Sequence, residues 1–201
     1  MDNYFTIERA SFAVFKDRGS KFMAYAYPIA TLADFKQHLT SLKKEHPKAV
    51  HHCFAYRIGT DGNTFRVSDD GEPSGTAGKP ILGQLDSKQL SNIALIVVRY
   101  FGGTLLGIPG LINAYKTATA LALQLVPIVE KQIEINYNIC CNYQQLNDVM
   151  ILLKQHNCAI IKQETSLFCS VDFGIPKNRL EQVLHKLHDM HGVELHPLES
   201  K

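Results

Sequence analysis

Apolar side chains recur at every second position near the start of the chain, first at Phe12 and Val14 and then at Phe22, Ala24 and Ala26, with Lys16-Asp17-Arg18-Gly19-Ser20 between them. That period and the glycine-bearing break predict a β-hairpin. The period then lengthens. Leu32, Phe35, Leu39 and Leu42 fall at helical spacing behind Thr31 in a capping position, and Pro47 ends the run, so an amphipathic helix laid on a sheet is expected. A second hairpin is read from residues 52–58 and 64–67, which turn through Thr60-Asp61-Gly62-Asn63, where Asp-Gly favours a tight turn. Ile93 to Val98 is apolar without interruption and has strand length, as a strand covered on both faces would be, which places it in the middle of the sheet.

A further helix is expected from about Pro109 to about Gln124, presenting Leu111, Ala114, Tyr115, Ala118, Leu121, Ala122 and Leu125. Pro127 marks a joint, after which Ile133, Ile135, Tyr137 and Ile139 restore the period of two. The remaining pattern gives a helix with Leu146, Val149, Met150 and Leu153, strands near residues 159–162 and 167–173, a helix with Leu180, Val183, Leu184 and Leu187, and a strand at residues 193–195. The expectation is an α+β protein of two domains, residues 1–127 with a mostly antiparallel sheet and residues 128–201 with the order β-α-β-β-α-β of the ferredoxin-like split motif.

Composition narrows the class. A chain of 201 residues, 45% apolar and 20% charged, is ordinary for a folded protein and long enough for a sizeable core. Net charge is only +2, so no global field announces a nucleic-acid partner, although residues 1–127 carry 14 Lys and Arg against 10 Asp and Glu and residues 128–201 carry 7 against 9. Five cysteines, odd in number and without a C-x-x-C pair, argue against a disulfide scaffold or zinc ribbon and for reduced thiols in a cytoplasmic protein. No secretion signal opens the chain, and no stretch approaches the ~20 apolar residues that span a bilayer.

Candidate chemistry concentrates in two glycine-punctuated loops, residues 69–80 and 99–110, on either side of the Ile93–Val98 strand. Ordering a residue costs ~1–2 kcal/mol and glycine has most freedom to lose, so such loops need unusual backbone angles or the close approach of something to the main chain. Each leads into a helix, with Ser74 or Thr76 placed to cap one starting near Ala77. Free amides at Gly75, Thr76, Gly78, Gly102 and Gly103, with Lys79 and Arg99 beside them, would form a cradle for a phosphate-like anion. Neither loop matches a G-x-G-x-x-G or P-loop signature, and structural turns are the alternative.

Asp69 to Leu82 and Arg99-Tyr100-Phe101-Gly102-Gly103, with Leu106-Gly107, Gly110-Leu111 and Ala114-Tyr115, resemble the two signature blocks of the IMPACT family, specifically its bacterial YigZ-like members. Gly19-Ser20-Lys21-Phe22 and residues 52–59 extend the resemblance upstream, so that it covers most of residues 1–127. Ile108-Pro109 replaces a small residue and glycine, and Asn113 stands where Arg or Lys is frequent, which removes one positive charge from the expected anion face. The resemblance implies a ribosomal protein S5 domain 2-like fold for residues 1–127 and a ferredoxin-like domain similar to the last domain of elongation factors for residues 128–201. It further implies a translation-linked role, with RNA, the ribosome or a translation-associated protein as partner, while the residues themselves point to a binding protein rather than an enzyme and to no cofactor.

Other readings remain open, among them a protein-interaction module whose loops order on a partner. Asp69, Asp70 and Glu72 with His52 could hold a hard metal ion and serve a hydrolase, or simply form an acidic turn. His185, His188 and His191 with Asp189 share one side of a helix but lack a closing ligand for zinc. Ser74 and Thr76 lack the G-x-S-x-G elbow of a nucleophile, and Cys140-Cys141 puts one thiol on each face of a strand. Tyr100, Phe101 and Tyr115 near Arg99 and Lys79 pair rings with charge as single-stranded nucleic-acid sites do, and of Tyr100 and Phe101 one must face outward.

Overall fold

The computed structural model describes residues 2–198; Met1 and residues 199–201, the ends of the two expected domains, lie outside the described residues. The chain divides into two compact units, one running from Tyr4 to Lys131 and the other from Gln132 onward together with the residues before Tyr4. The division falls four residues beyond Pro127.

The first unit is built on a five-stranded antiparallel sheet. Its strands are β2 (Ser11–Asp17), β3 (Ser20–Pro28), β4 (His51–Ile58), β5 (Thr64–Ser68) and β6 (Ile93–Tyr100), in the order β2-β3-β6-β4-β5. β6 is central, as its unbroken apolar run requires, and every residue from Ile93 to Val98 is fully buried. The β2–β3 turn holds Arg18 and Gly19 at φ +44° and +79°, the left-handed pair that matches the twist of a tight hairpin.

Helices cover both faces. α1 (Leu32–Glu45) starts with a capping box in which Thr31 and Asp34 satisfy each other's backbone amides, and buries Phe35 and Leu42 against Ile96, Val98 and Phe54. α2 (Gly78–Ser87) and α3 (Gly107–Gln124) pack on the opposite face against Ile93, Leu95 and Val97. Each fully buried side chain of this size stabilises the fold by roughly 1.5–3 kcal/mol. The alternation along β6 therefore continues through its polar end, sending Arg99 to the α2–α3 face and Tyr100 to the α1 face. A two-stranded sheet of β1 (Asn3–Ile7) and β7 (Ile128–Gln132), which the hydrophobic pattern does not foretell, joins the ends of this unit.

The second unit runs β8 (Glu134–Cys141), α4 (Tyr143–Gln155), β9 (Ala159–Thr165), β10 (Cys169–Pro176), α5 (Leu180–His188) and β11 (Val193–Pro197), with the antiparallel order β11-β8-β10-β9. Both helices lie on one face, where Ile139, Val171, Phe173, Val149 and Val183 form the core. The other face is polar, with Asn138 donating to Ser170 Oγ at 2.8 Å and to Asp172 Oδ1 at 2.5 Å. Cys141 is buried and Cys140 half-buried on opposite faces of β8.

Candidate functional site

The loop between β5 and α2 folds inward around two carboxylates. Asp69 points its side chain at the start of α2, where Oδ1 accepts from the amides of Ala77 (3.0 Å) and Gly78 (2.8 Å) and Oδ2 from Gly75 (2.8 Å). The carboxylate caps the helix from eight or nine residues upstream, in the place expected for Ser74 or Thr76. Burial pushes its pKa upward, but the Gly75, Gly78 and Ala77 amides and Lys79 together hold it below the usual carboxylate value. Thr76 is buried, donating from Oγ1 to the Pro73 carbonyl at 2.7 Å and from its amide to the same oxygen at 3.0 Å, while Ser74 and Lys79 are exposed.

Glu72 is the second carboxylate, and its residue is only 8% exposed. Its Oε1 accepts from Arg99 Nη1 at 2.5 Å and from the Tyr115 hydroxyl at 2.7 Å, tying the first loop to β6 and α3. Arg99, 5% exposed, lies between the rings of Phe22 and Phe101, 5.3 and 5.6 Å from their centroids, and its Nη2 donates to Ser20 Oγ at 3.4 Å. Tyr115 also accepts from the Cys53 thiol at 3.3 Å. Burial drives both the Tyr115 phenol and the Cys53 thiol well above their ordinary pKa values, which favours their protonated forms.

The second loop meets the first hairpin through Gly102. Its amide donates to Ser20 Oγ at 3.2 Å, and a Cβ there would overlap the backbone of Gly19 and Ser20. Gly103 and Gly107 take φ of +87° and +71°, the left-handed region that glycine reaches without strain. Four of the five amides expected to cradle an anion, those of Gly75, Thr76, Gly78 and Gly102, are engaged within the chain, and the Arg99 charge is neutralised by Glu72.

The metal-hydrolase set is likewise dispersed. Asp69 turns to the α2 amides and Glu72 to Arg99, while His52 packs toward the α1 face beside Val98. Asp70 stays close to His52, its Oδ2 accepting from the His52 amide at 2.7 Å and lying 4.0 Å from the ring Nδ1. No group of three metal-binding side chains forms among the described residues, and His185 instead pairs with Asp189 at 3.1 Å on an exposed helix face. Tyr100 is turned away from the loops, its hydroxyl 3.0 Å from His46 Nδ1.

What the two loops enclose is an apolar cavity of about 390 Å³ between Val50, Pro73, Leu106, Leu111 and the second loop, with Glu72, Arg99 and His51 as its polar floor. Three side chains on its rim are open to solvent: Leu105 at 84%, Ile108 at 59% and Phe101 at 47% exposed. His51 Nδ1 lies 2.7 Å from the Asp70 carbonyl, which can only accept, so that nitrogen carries the hydrogen and Nε2 faces Glu72 Oε1 at 3.8 Å. Leu105 and Ile108 were not among the expected binding residues, and Tyr115, expected as a stacking ring, is instead a buried hydrogen-bond partner of Glu72. Strand parity brings in His51, which pairs with Arg99 across β4 and β6.

These loops and their buried partners lie within a stretch, residues 18–123, that matches the Impact N-terminal domain. The chain belongs to the IMPACT family. It is 38% identical over 164 residues to an IMPACT family member of Haemophilus influenzae, covering 81% of this chain and 80% of that one. It is also 38% identical over 156 residues to the IMPACT family member YigZ of Escherichia coli, covering 77% and 76% of the two chains. A solved structure titled "Crystal structure of an hypothetical protein" superimposes over the full length of both chains with a TM-score of 0.75 at 32% identity. In this IMPACT family member the signature residues thus have structural employment: Asp69 caps α2, Glu72 and Arg99 pair across the two loops, and Gly102 lets the second loop touch the first hairpin.

Proposed function

We propose that this IMPACT family member is a non-catalytic, cytoplasmic binding protein of translation-linked regulation, which engages a translation-associated protein surface through the cavity between its two loops. The translation link is an implication of the family resemblance. The observation that carries the binding mode is the rim: Phe101, Leu105 and Ile108 surround an apolar cavity, all three open to solvent. Exposed large apolar side chains grouped around a concave surface favour a protein partner's apolar side chain over a phosphate. Glu72 and Arg99 would then fix the cavity's shape rather than contribute charge to the contact. On the same reading, residues 1–127 adopt the ribosomal protein S5 domain 2-like fold, and the β11-β8-β10-β9 order of the second unit supports a ferredoxin-like domain.

The experiment is co-sedimentation of the full chain with purified ribosomes, wild type against Leu105→Glu. Binding that resists moderate salt and is lost on Leu105→Glu supports the reading. Retention of binding by the variant, or absence of ribosome association by the wild type, contradicts it.

A further inference from the structure

The sheet face that carries α1 is only partly covered. α1 lies over β4 and β6 and meets β3 at Tyr27, and beyond its edge β2 and the neighbouring positions of β3 present a row of side chains. Phe12, 44% exposed, packs against its cross-strand partner Tyr25 with ring centroids 4.7 Å apart. Tyr25 is followed by Tyr27 in a parallel plane 6.2 Å away, and Tyr27 stacks on His38 of α1 at 4.0 Å. Further along the same face Lys16 and Lys21 stand directly opposite one another, in register between β2 and β3. Neither has an ion-pair partner among the described residues, and Glu45, near the tyrosines, pairs with His46.

Like charges directly opposite on neighbouring strands destabilise a sheet. A lysine on an edge strand is a common guard against aggregation, which accounts for Lys16 on β2 but not for Lys21 on the internal strand β3. An uncompensated lysine pair ahead of a row of rings has the composition of a surface that neutralises phosphates and stacks bases. We infer that the β2–β3 face, where Phe12 and Lys16 are exposed and Tyr25, Tyr27 and Lys21 half-buried, binds single-stranded nucleic acid, with a base on the Phe12 ring and the backbone phosphates on the lysines. The face looks to the opposite side of the sheet from the cavity, so this site is separate from the protein contact proposed above.

The test is fluorescence anisotropy of the full chain with a labelled polyuridine RNA of ~12 nucleotides, a length within the range of such sites. Wild type is expected to bind with an affinity that falls as salt rises. Phe12→Ala should weaken binding roughly 5- to 100-fold, and Phe12→Tyr, which keeps the ring, should restore it. Lys16→Ala with Lys21→Ala should reduce the logarithmic salt slope by about 0.7 for each phosphate that a lysine no longer neutralises, without lowering thermal stability, because it relieves a repulsive pair. The inference is overturned by absence of binding up to ~100 μM RNA at low salt. It is equally overturned by unchanged binding in Phe12→Ala, by a loss of stability in the double lysine variant, or by polyglutamate that competes as well as RNA. Leu105→Glu, which disrupts the cavity rim, should leave RNA binding unchanged.

Discussion

The two glycine loops look alike in sequence and are opposite in construction. In the first, residues 69–78, the carboxylates of Asp69 and Glu72 turn inward and collect the amides of Gly75, Ala77 and Gly78, the Arg99 guanidinium and the Tyr115 hydroxyl. In the second, residues 101–108, Gly102 anchors the backbone to Ser20 while Phe101, Leu105 and Ile108 point to solvent. One loop is a scaffold and the other, with its open apolar side chains, is the proposed contact surface. Glycine marks both because both need left-handed backbone, at Gly71 and Gly75 in one and at Gly103 and Gly107 in the other.

The largest effect should come from the scaffold. Glu72→Ala leaves the buried Arg99 without its counter-charge and is expected to cost about 3–5 kcal/mol in chemical denaturation. Asp69→Ala strips three amides of a charged acceptor and should cost about 1.5–3 kcal/mol. Gly102→Ala forces the second loop away from Gly19 and Ser20, with an expected loss of about 1–3 kcal/mol. Leu105→Ala, on the contact loop, should change stability by less than about 0.5 kcal/mol while weakening ribosome co-sedimentation. A stability loss on Leu105→Ala equal to that on Asp69→Ala would erase the distinction between the loops.

Stability against pH sharpens the same contrast. His52 is held below its usual pKa by burial, with Asp70 opposing, so stability present above pH 6.5 declines as the unfolded imidazole protonates and the folded one resists. Asp69 is also held low, so its contribution is complete above pH 3.8 and is lost as pH falls through its folded value. Denaturation midpoints followed downward from neutral pH should therefore fall in two stages, and Asp69→Asn should remove the lower one.

Much of the architecture was legible because its signals are local. The unbroken run of Ile93–Val98 identified the central strand, Thr31 announced the start of α1, and Asp61-Gly62 marked a hairpin turn. The site was less legible because its interactions join residues distant in sequence. Asp69 reaches amides six to nine residues on, Arg99 finds Glu72 27 residues back, and Tyr115 meets Glu72 across 43. Nothing in a residue's neighbours tells whether a free amide near a helix start will meet a ligand or a carboxylate from an earlier turn. Strand parity carried more than was drawn from it: a strand end must divide Arg99 from Tyr100, which sends Tyr100 to His46 and leaves Phe101 as the outward ring.

Amide hydrogen exchange at Gly75, Ala77 and Gly78 tests the central division most directly, read by NMR on the full chain with and without inorganic phosphate. With Asp69 as their acceptor these amides should exchange slowly without phosphate, show no phosphate-dependent shift, and become labile in Asp69→Asn. Rapid exchange in the wild type that slows only when phosphate is added would mean that the first loop is a binding site after all.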